Sequence, residues 1–502
     1  MSDPELSTGR RVAGILLHPT SLPGEYGVGD LGDELIAFLD WASSAGIGLW
    51  QVLPLNPPGY GQSPYDCLSS EAGNPLLISP QRLLQDGLIT PEEVGDIPPF
   101  DAGHVQFDAV RVWKGRLLRA AWECFRQGAW PAMRRALSHF EAEEREWLDD
   151  FALYMAIKES QSSVPWWEWS GGLAHRDPAA LKKARRELNG ETRFQKFMQF
   201  LFFRQWQIVR EAARDRNILI MGDVPIYVAH DSGDVWANRE LFHLDESGAP
   251  TVVAGVPPDY FSATGQRWGN PLYRWDILRR TGYRWWINRL KTNLELTDLV
   301  RLDHFRGFAA YWEIPAHEPT AIHGRWMPGP GKALFNALQH ALGSLPLVAE
   351  DLGYITPEVH ELRQATGLPG MRVLQFGFGQ ADSPHLPHRF EARSVVYTGT
   401  HDNDTALGWF QQASAAERDL AHAYLGEDCN DISWALIRAA YTSVAETAIV
   451  PVQDVLGLGS EARMNTPGDP LHNWSWRVGP GMLTRAHAER LRKLAEITGR
   501  VS

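Results

Sequence analysis

The chain has 502 residues, enough for two or three ordinary domains or for one barrel with large insertions. Hydrophobic residues make up 44% and charged residues 22%, the balance of a soluble globular protein. A net charge of -13 argues against nucleic acid or an anionic membrane as main partner, because both select a basic surface, whereas an uncharged substrate is compatible with it.

Cys67, Cys124 and Cys429 lie far apart and are odd in number, so they form neither a disulfide framework nor a CxxC metal site and suit a reducing cytosol. The stretch from Met1 to Arg11 is polar, without the apolar core of a signal peptide, and no apolar run approaches the ~18 residues of a membrane span. The expectation is a cytoplasmic protein that engages no membrane. Aromatic content stands out, with 21 Trp, 13 Tyr and 20 Phe. Sugar rings stack their C–H faces on aromatic rings, although most such rings in any protein simply fill core or surface.

In chain order, the first buried-strand run is Gly14–Pro19 (GILLHP). Gly27-Val28-Gly29-Asp30-Leu31-Gly32 fits GxGxxG literally, but a TSLPGEY loop separates it from that strand. No acid ends the next strand, so nucleotide binding is not expected, and the glycines read as a rim loop leading into a helix over Asp33–Ala45. The second run is Leu49–Leu55. About 160 residues then pass before the third, Ile218–Val228, too many for a simple crossover. Helical segments at Ala109–Gln127, Trp130–Trp147 and Thr192–Arg214 make 57–216 a mostly helical insertion. A second insertion, 229–295, is rich in Gly, Pro and aromatics through Asn238–Tyr273 and reads as loop structure over a barrel mouth.

The remaining runs are Leu299–Phe305, Leu345–Leu352, Met371–Phe378, Ser394–Thr400 and Ile449–Leu456, with a helix over Pro357–Thr366 that has Thr356 as N-cap. Eight strands alternating with helices predict an α/β fold, a single (β/α)8 TIM barrel over 1–502 with large helical and loop insertions. A doubly wound open sheet is the alternative. His385 and His388 sit between prolines with no third ligand, and no P-loop, GxSxG or HExxH pattern occurs, so neither metal nor cofactor is expected.

Three of the strand runs end in acids: Arg301-Leu302-Asp303-His304-Phe305, Ala349-Glu350-Asp351 and Thr400-His401-Asp402. A barrel carries its chemistry on the C-terminal strand ends, so Asp303, Glu350 and Asp402 converge on one mouth. Cleaving a glycosidic bond needs two carboxyl groups in opposite protonation states. Arg301 and Asp303 share a strand face, and a neighbouring guanidinium favours an ionised carboxylate, so Asp303 is the better nucleophile. Glu350, with no adjacent cation, is the better proton donor, raised by neighbouring carboxylates.

Several ordered motifs give the chain a wider identity. They include Ser21-Leu22-Pro23-Gly24, Ser63-Pro64-Tyr65, Gly222–Val228, Gly255–Asp259, Gln266–Pro271, Arg301–Gly307, Ala349–Gly353, Gly399–Asp404 and Arg463–Gly468. From about Gly14 to Arg477 the chain resembles the 4-α-glucanotransferases (amylomaltase, or disproportionating enzyme; glycoside hydrolase family 77). The resemblance implies a retaining double displacement on α-1,4-glucans. Asp303 would be the nucleophile, Glu350 the acid and then base, and Asp402 the holder of the 2- and 3-hydroxyls of the distorted sugar. Arg301 and His401 would support that sugar, Asp223 would lie on the rim, and Tyr65, Trp268 and Asn465 would contact the glucan. Glu71 departs from the apolar residue usual at its position. Hydrolysis of α-glucans on the same scaffold is the alternative activity, and non-catalytic glucan binding a third. The expected partners are maltooligosaccharides, with a monomer or a weak homo-oligomer.

Overall fold

The computed structural model describes residues 11–258, 262–426, 431–469 and 473–501. Most of the stretch Met1–Arg11, Asp259 of the Gly255–Asp259 motif, and Cys429 lie outside them. Among the described residues twelve strands follow in chain order: β1 (Val12–Leu16), β2 (Leu49–Gln51), β3 (Leu219–Pro225), β4 (Val252–Val256), β5 (Gln266–Pro271), β6 (Leu299–Asp303), β7 (Ala310–Pro315), β8 (Arg325–Pro328), β9 (Leu347–Ala349), β10 (Gly370–Val373), β11 (Ser394–Tyr397) and β12 (Thr447–Pro451). Eight of them form an all-parallel sheet in the order β10-β11-β12-β1-β2-β3-β6-β9. At the seam between its two ends, the Ala349 N–H donates to Pro369 O at 2.9 Å. The architecture is the (β/α)8 barrel, and each expected apolar run overlaps one barrel strand, with β1, β10 and β12 beginning one or two residues before the expected runs.

The strand alternation sorts side chains between two apolar layers. Val12 and Leu16 of β1, Leu49, Met221, Leu299, Val348, Met371, Val395 and Ile449 pack together in the barrel interior. Their neighbours Ala13, Ile15, Ile220, Val300, Leu302, Ala448 and Val450 face the surrounding helices. Each of the larger side chains, Val, Leu, Ile or Met, contributes ~1.5–3 kcal/mol on full burial, which is why both faces of these strands read as apolar. The interior is tight: a Cβ on Gly14 would lie 2.8 Å from Ile449 Cγ1, so β1 approaches its neighbours only through a glycine.

Between β2 and β3 the longest helices are Phe107–Gln127, Arg145–Ser160 and Asn189–Asp215. The expected helix Trp130–Trp147 is two, Pro131–Glu143 and Arg145–Ser160, meeting at Glu144. The second half escapes a pattern reading because it is buried on most sides and carries no clean polar stripe. The Asn189–Asp215 helix clamps the loop after β2. Gln199 accepts from Gly73 N at 2.7 Å and donates to Gly73 O at 2.9 Å, and a Cβ on Gly73 would strike the Phe202 ring at 2.0 Å.

The stretch Asn238–Tyr273, expected as loop, contains β4 and β5, which join β7 and β8 in an antiparallel sheet of order β5-β4-β7-β8. A register shift between Val253 and Gly255 and the exposed face of β5 remove the period-2 signal a strand reading needs. The helix Asp33–Ser44 starts from Gly32, whose N–H donates to Asp30 Oδ1 at 3.0 Å, so the GxGxxG match is a rim turn into that helix. The helix Pro357–Thr366 has Thr356 at its N-cap, without a hydrogen bond from the cap side chain to the backbone.

Candidate active site

The C-terminal ends of β6, β9 and β11 carry the three acids to one mouth. Asp223 of β3 and Arg301 of β6 are register partners, which sets two buried side chains of opposite charge opposite each other. Arg301 Nη1 donates to both Asp223 oxygens, at 2.8 and 2.6 Å, while Nη2 pairs with Asp303 Oδ1 at 2.9 Å. Arg301 Nε faces Met371 Sδ at 3.4 Å. One buried guanidinium therefore bridges a wholly buried carboxylate below and a partly exposed one above. Both anions strengthen its proton, against the cost of its own burial.

Asp223 was expected on the rim. It sits two residues inside β3 with its side chain buried, and it accepts the Tyr65 hydroxyl at 2.8 Å. Burial raises its carboxyl to about 7, against the opposing pull of Arg301. Its place is beneath the mouth, as the anchor of Arg301 and Tyr65.

Glu350 is buried beside this pair. Its Oε2 accepts the His304 N–H at 2.7 Å and its Oε1 the Leu352 N–H at 2.8 Å. Its carboxyl is pushed up to about 8, chiefly by burial, with the Asp303 charge adding to the rise while Arg301 and the two N–H donors oppose it. The rise itself was expected, but neighbouring carboxylates are its lesser cause. A carboxyl that keeps its proton at neutral pH is equipped to act as a general acid.

Asp402 stands more open, on the loop after β11. Asn465 Nδ2 donates to its Oδ1 at 2.6 Å, His401 Nε2 lies 3.3 Å from the same oxygen, and Arg463 holds its carbonyl at 2.7 Å. Burial lowers the His401 imidazole, against the opposing pull of Asp402. Tyr65 stacks on His401, centroids 5.0 Å apart at 15°, and Trp474 packs on both rings. Trp268, on exposed β5, meets the edge of His304 at 4.8 Å. A small open cleft lies beside His401 and includes His18, Asn403, Gln453 and Arg463 in its lining.

The nine expected site residues thus fall into two connected groups: Tyr65, Asp223, Arg301, Asp303 and Glu350, then His401, Asp402 and Asn465, with Trp268 joined through His304. The sequence reading missed His304 and Met371. His304 acts through its backbone, with φ of 52°, and Met371 through a side chain 70 residues along the chain from the Arg301 it touches; neither leaves a compositional mark. Among the described residues no group of three or more His, Cys, Asp or Glu could hold a metal. His385 Nδ1 accepts from Val373 N at 3.1 Å, and His388 Nδ1 lies 3.0 Å from the Tyr424 hydroxyl.

Comparison with known proteins accounts for this arrangement. Residues 17–483 match the family described as 4-alpha-glucanotransferase. The chain is 52% identical to the 4-alpha-glucanotransferase of Thermus thermophilus, over 98% of this chain and 99% of that one. It is 50% identical to that of Synechocystis, over 98% of each. The amylomaltase from Streptococcus agalactiae in complex with acarbose superposes with a TM-score of 0.95 at 36% identity, covering 98% of this chain and 100% of that one. On a match that spans most of its length, the chain belongs to the 4-α-glucanotransferase family.

Proposed function

We propose that this protein moves α-1,4-glucan segments between maltooligosaccharides by a retaining double displacement, with the residues of the mouth in the following roles. An Asp303 oxygen attacks the anomeric carbon as Glu350 gives its proton to the departing 4-oxygen, leaving a β-glucosyl ester on Asp303. The Glu350 carboxylate then takes the proton of an incoming 4-hydroxyl, whose oxygen displaces Asp303. Asp402, oriented by Asn465 and His401, holds the 2- and 3-hydroxyls of the distorted sugar. Arg301 and the Tyr65 ring support that sugar from below, Asp223 fixes both of them, and Trp268 offers its face to the glucan.

The observation that carries this reading is the contrast between the two strand-end carboxyls. Glu350 is raised to about 8 by burial, whereas Asp303 is paired with Arg301 at 2.9 Å. Transfer also needs a sugar hydroxyl to reach the ester before water does. The insertions 57–216 and 229–295, flanking the mouth, are the segments to which we assign that exclusion. The scattered cysteines, of which Cys67 and Cys124 are unpaired, support a cytoplasmic setting, and no described helix is long and apolar enough to cross a membrane.

Feeding maltotriose tests the reading. Glucose and longer oligomers should form with no net gain in reducing ends. A steady rise in reducing ends would instead make the protein a hydrolase, and an Asp303→Asn variant as active as wild type would leave it a glucan-binding protein only.

A further inference from the structure

The barrel ladder is complete except at one place, between β9 and β10, and that place lies directly below Glu350. Among the described residues one backbone bond crosses there before the mouth, Ala349 N to Pro369 O. The next rung is made by a side chain: Asp351 Oδ1 accepts the Met371 N–H at 2.7 Å. Asp351 is almost completely buried, and its other oxygen faces Arg363 Nε at 3.3 Å and Arg372 Nη1 at 3.8 Å. A Cβ on Gly370 would lie 2.4 Å from Asp351 Oδ2, so β10 has to begin with a residue that has no side chain.

The consequences reach both acids. Asp351 follows Glu350 directly, so an anchored Asp351 limits where the Glu350 backbone can sit. Met371, the residue it captures, presents its sulfur to Arg301, which pairs in turn with Asp303. A buried carboxylate that closes a sheet by standing in for a carbonyl is a costly way to make one rung. Its return is a fixed separation between the two strands that carry the proton donor and the backing of the nucleophile's guanidinium.

We infer that Asp351 is a positioning residue for the transfer reaction, a side-chain rung that closes the barrel under Glu350 and sets Met371 against Arg301. The inference rests on the reading of Glu350 as proton donor. Asp351 touches no substrate, and its effect passes through the geometry of its neighbours.

The test is a set of purified variants assayed on maltotriose. Asp351→Asn keeps an oxygen for the Met371 N–H and should keep kcat within about threefold. Asp351→Ala leaves that N–H without an acceptor, and kcat should fall about 10- to 100-fold, the range for supporting residues around an active site. KM should stay within about twofold, because uniform substrate binding is untouched. The alkaline limb of kcat/KM should also move away from that of wild type, which a loss of folded protein alone would not do.

Equal activity in Asp351→Ala and wild type, or equal losses in the Ala and Asn variants, would overturn the inference. If Asp351→Ala does not fold, Gly370→Ala strains the same rung from the opposite strand and should give the same fall in kcat with an altered pH limb. A wild-type profile there would overturn it as well. Glu350→Gln is the companion variant. If it remains active, the assignment of the proton donor fails; if it is inactive while Asp351→Ala behaves as wild type, only the present inference fails.

Discussion

His304 donates its backbone N–H to Glu350 Oε2 at 2.7 Å from a left-handed conformation, with φ of 52°. A residue with a side chain pays about 1 kcal/mol to adopt it. The turn after β6 thereby aims an amide, not a side chain, at the carboxyl proposed as proton donor. Substitution separates the two. His304→Gly keeps the N–H and takes this φ freely, so kcat should stay within about fivefold, with some rise in KM as Trp268 loses its edge contact. His304→Pro has no N–H and cannot take a positive φ, so kcat should fall by more than about 100-fold. Steady-state kinetics on maltotriose decide it; similar values for the two variants would remove the amide from the account.

The raised Glu350 carboxyl makes two linked expectations. Turnover that needs its proton should hold to about pH 8 and then decline, seen as the alkaline limb of kcat/KM for the donor. Stability follows the same group with a definite sign. Its folded value lies above the ordinary glutamate value, so between the two the unfolded chain has released a proton that the folded protein keeps. Stability is therefore lost as pH rises from near 4.5 to about 8. Glu350→Gln has no charge to bury, so its Tm should exceed that of wild type by roughly 2 °C at pH 9 and by much less at pH 5. A Tm gap independent of pH would mean that Glu350 is not the group responsible.

The eight strands and the three acids were legible because both are local. A strand covered on two faces must be a short apolar run, and an acid ending it must lie at the mouth. The interior partners were not legible. That Asp223 binds Arg301 follows from the register of β3 on β6, and the β9–β10 seam from which strand closes the barrel; neither is written in any window of sequence. The β4–β5 hairpin was missed for the opposite reason. Its pattern is local, but an irregular register and an exposed face erase the alternation. Glu350's rise was anticipated from neighbouring carboxylates alone, and its chief cause, burial, was missed, because burial is a property of the fold and neighbouring charge can be guessed from spelling.

Arg301 serves two carboxylates with one planar group, which lysine cannot imitate. Arg301→Lys offers a single charge that cannot reach Asp223 and Asp303 together, and leaves Asp223 buried and poorly paired. The expected result is a kcat reduced at least about 100-fold and a stability loss of about 3 kcal/mol, read from maltotriose turnover and a urea midpoint. Should the lysine variant keep half the wild-type turnover, the double bridge is not what the reaction uses.

At the opposite end of the barrel, Arg500 is fully buried and gives its donors to main-chain carbonyls alone. Nε donates to Tyr441 O at 2.8 Å, Nη1 to Val12 O and Glu446 O at 3.2 and 3.0 Å, and Nη2 to Ala445 O at 2.7 Å and Ser443 O at 3.3 Å. These carbonyls lie around the N-terminal ends of β1 and β12, where the sheet would otherwise present unpaired oxygens to a dry interior. Arg500→Ala removes every donor at once and opens a cavity, so the loss should be about 3–4 kcal/mol. The bottom face of a barrel bears on stability and not on chemistry, so turnover per folded molecule should be unchanged. Denaturant unfolding together with the maltotriose assay checks both halves. A variant as stable as wild type, or one that is folded but slow, would contradict this division of labour between the two ends of the barrel.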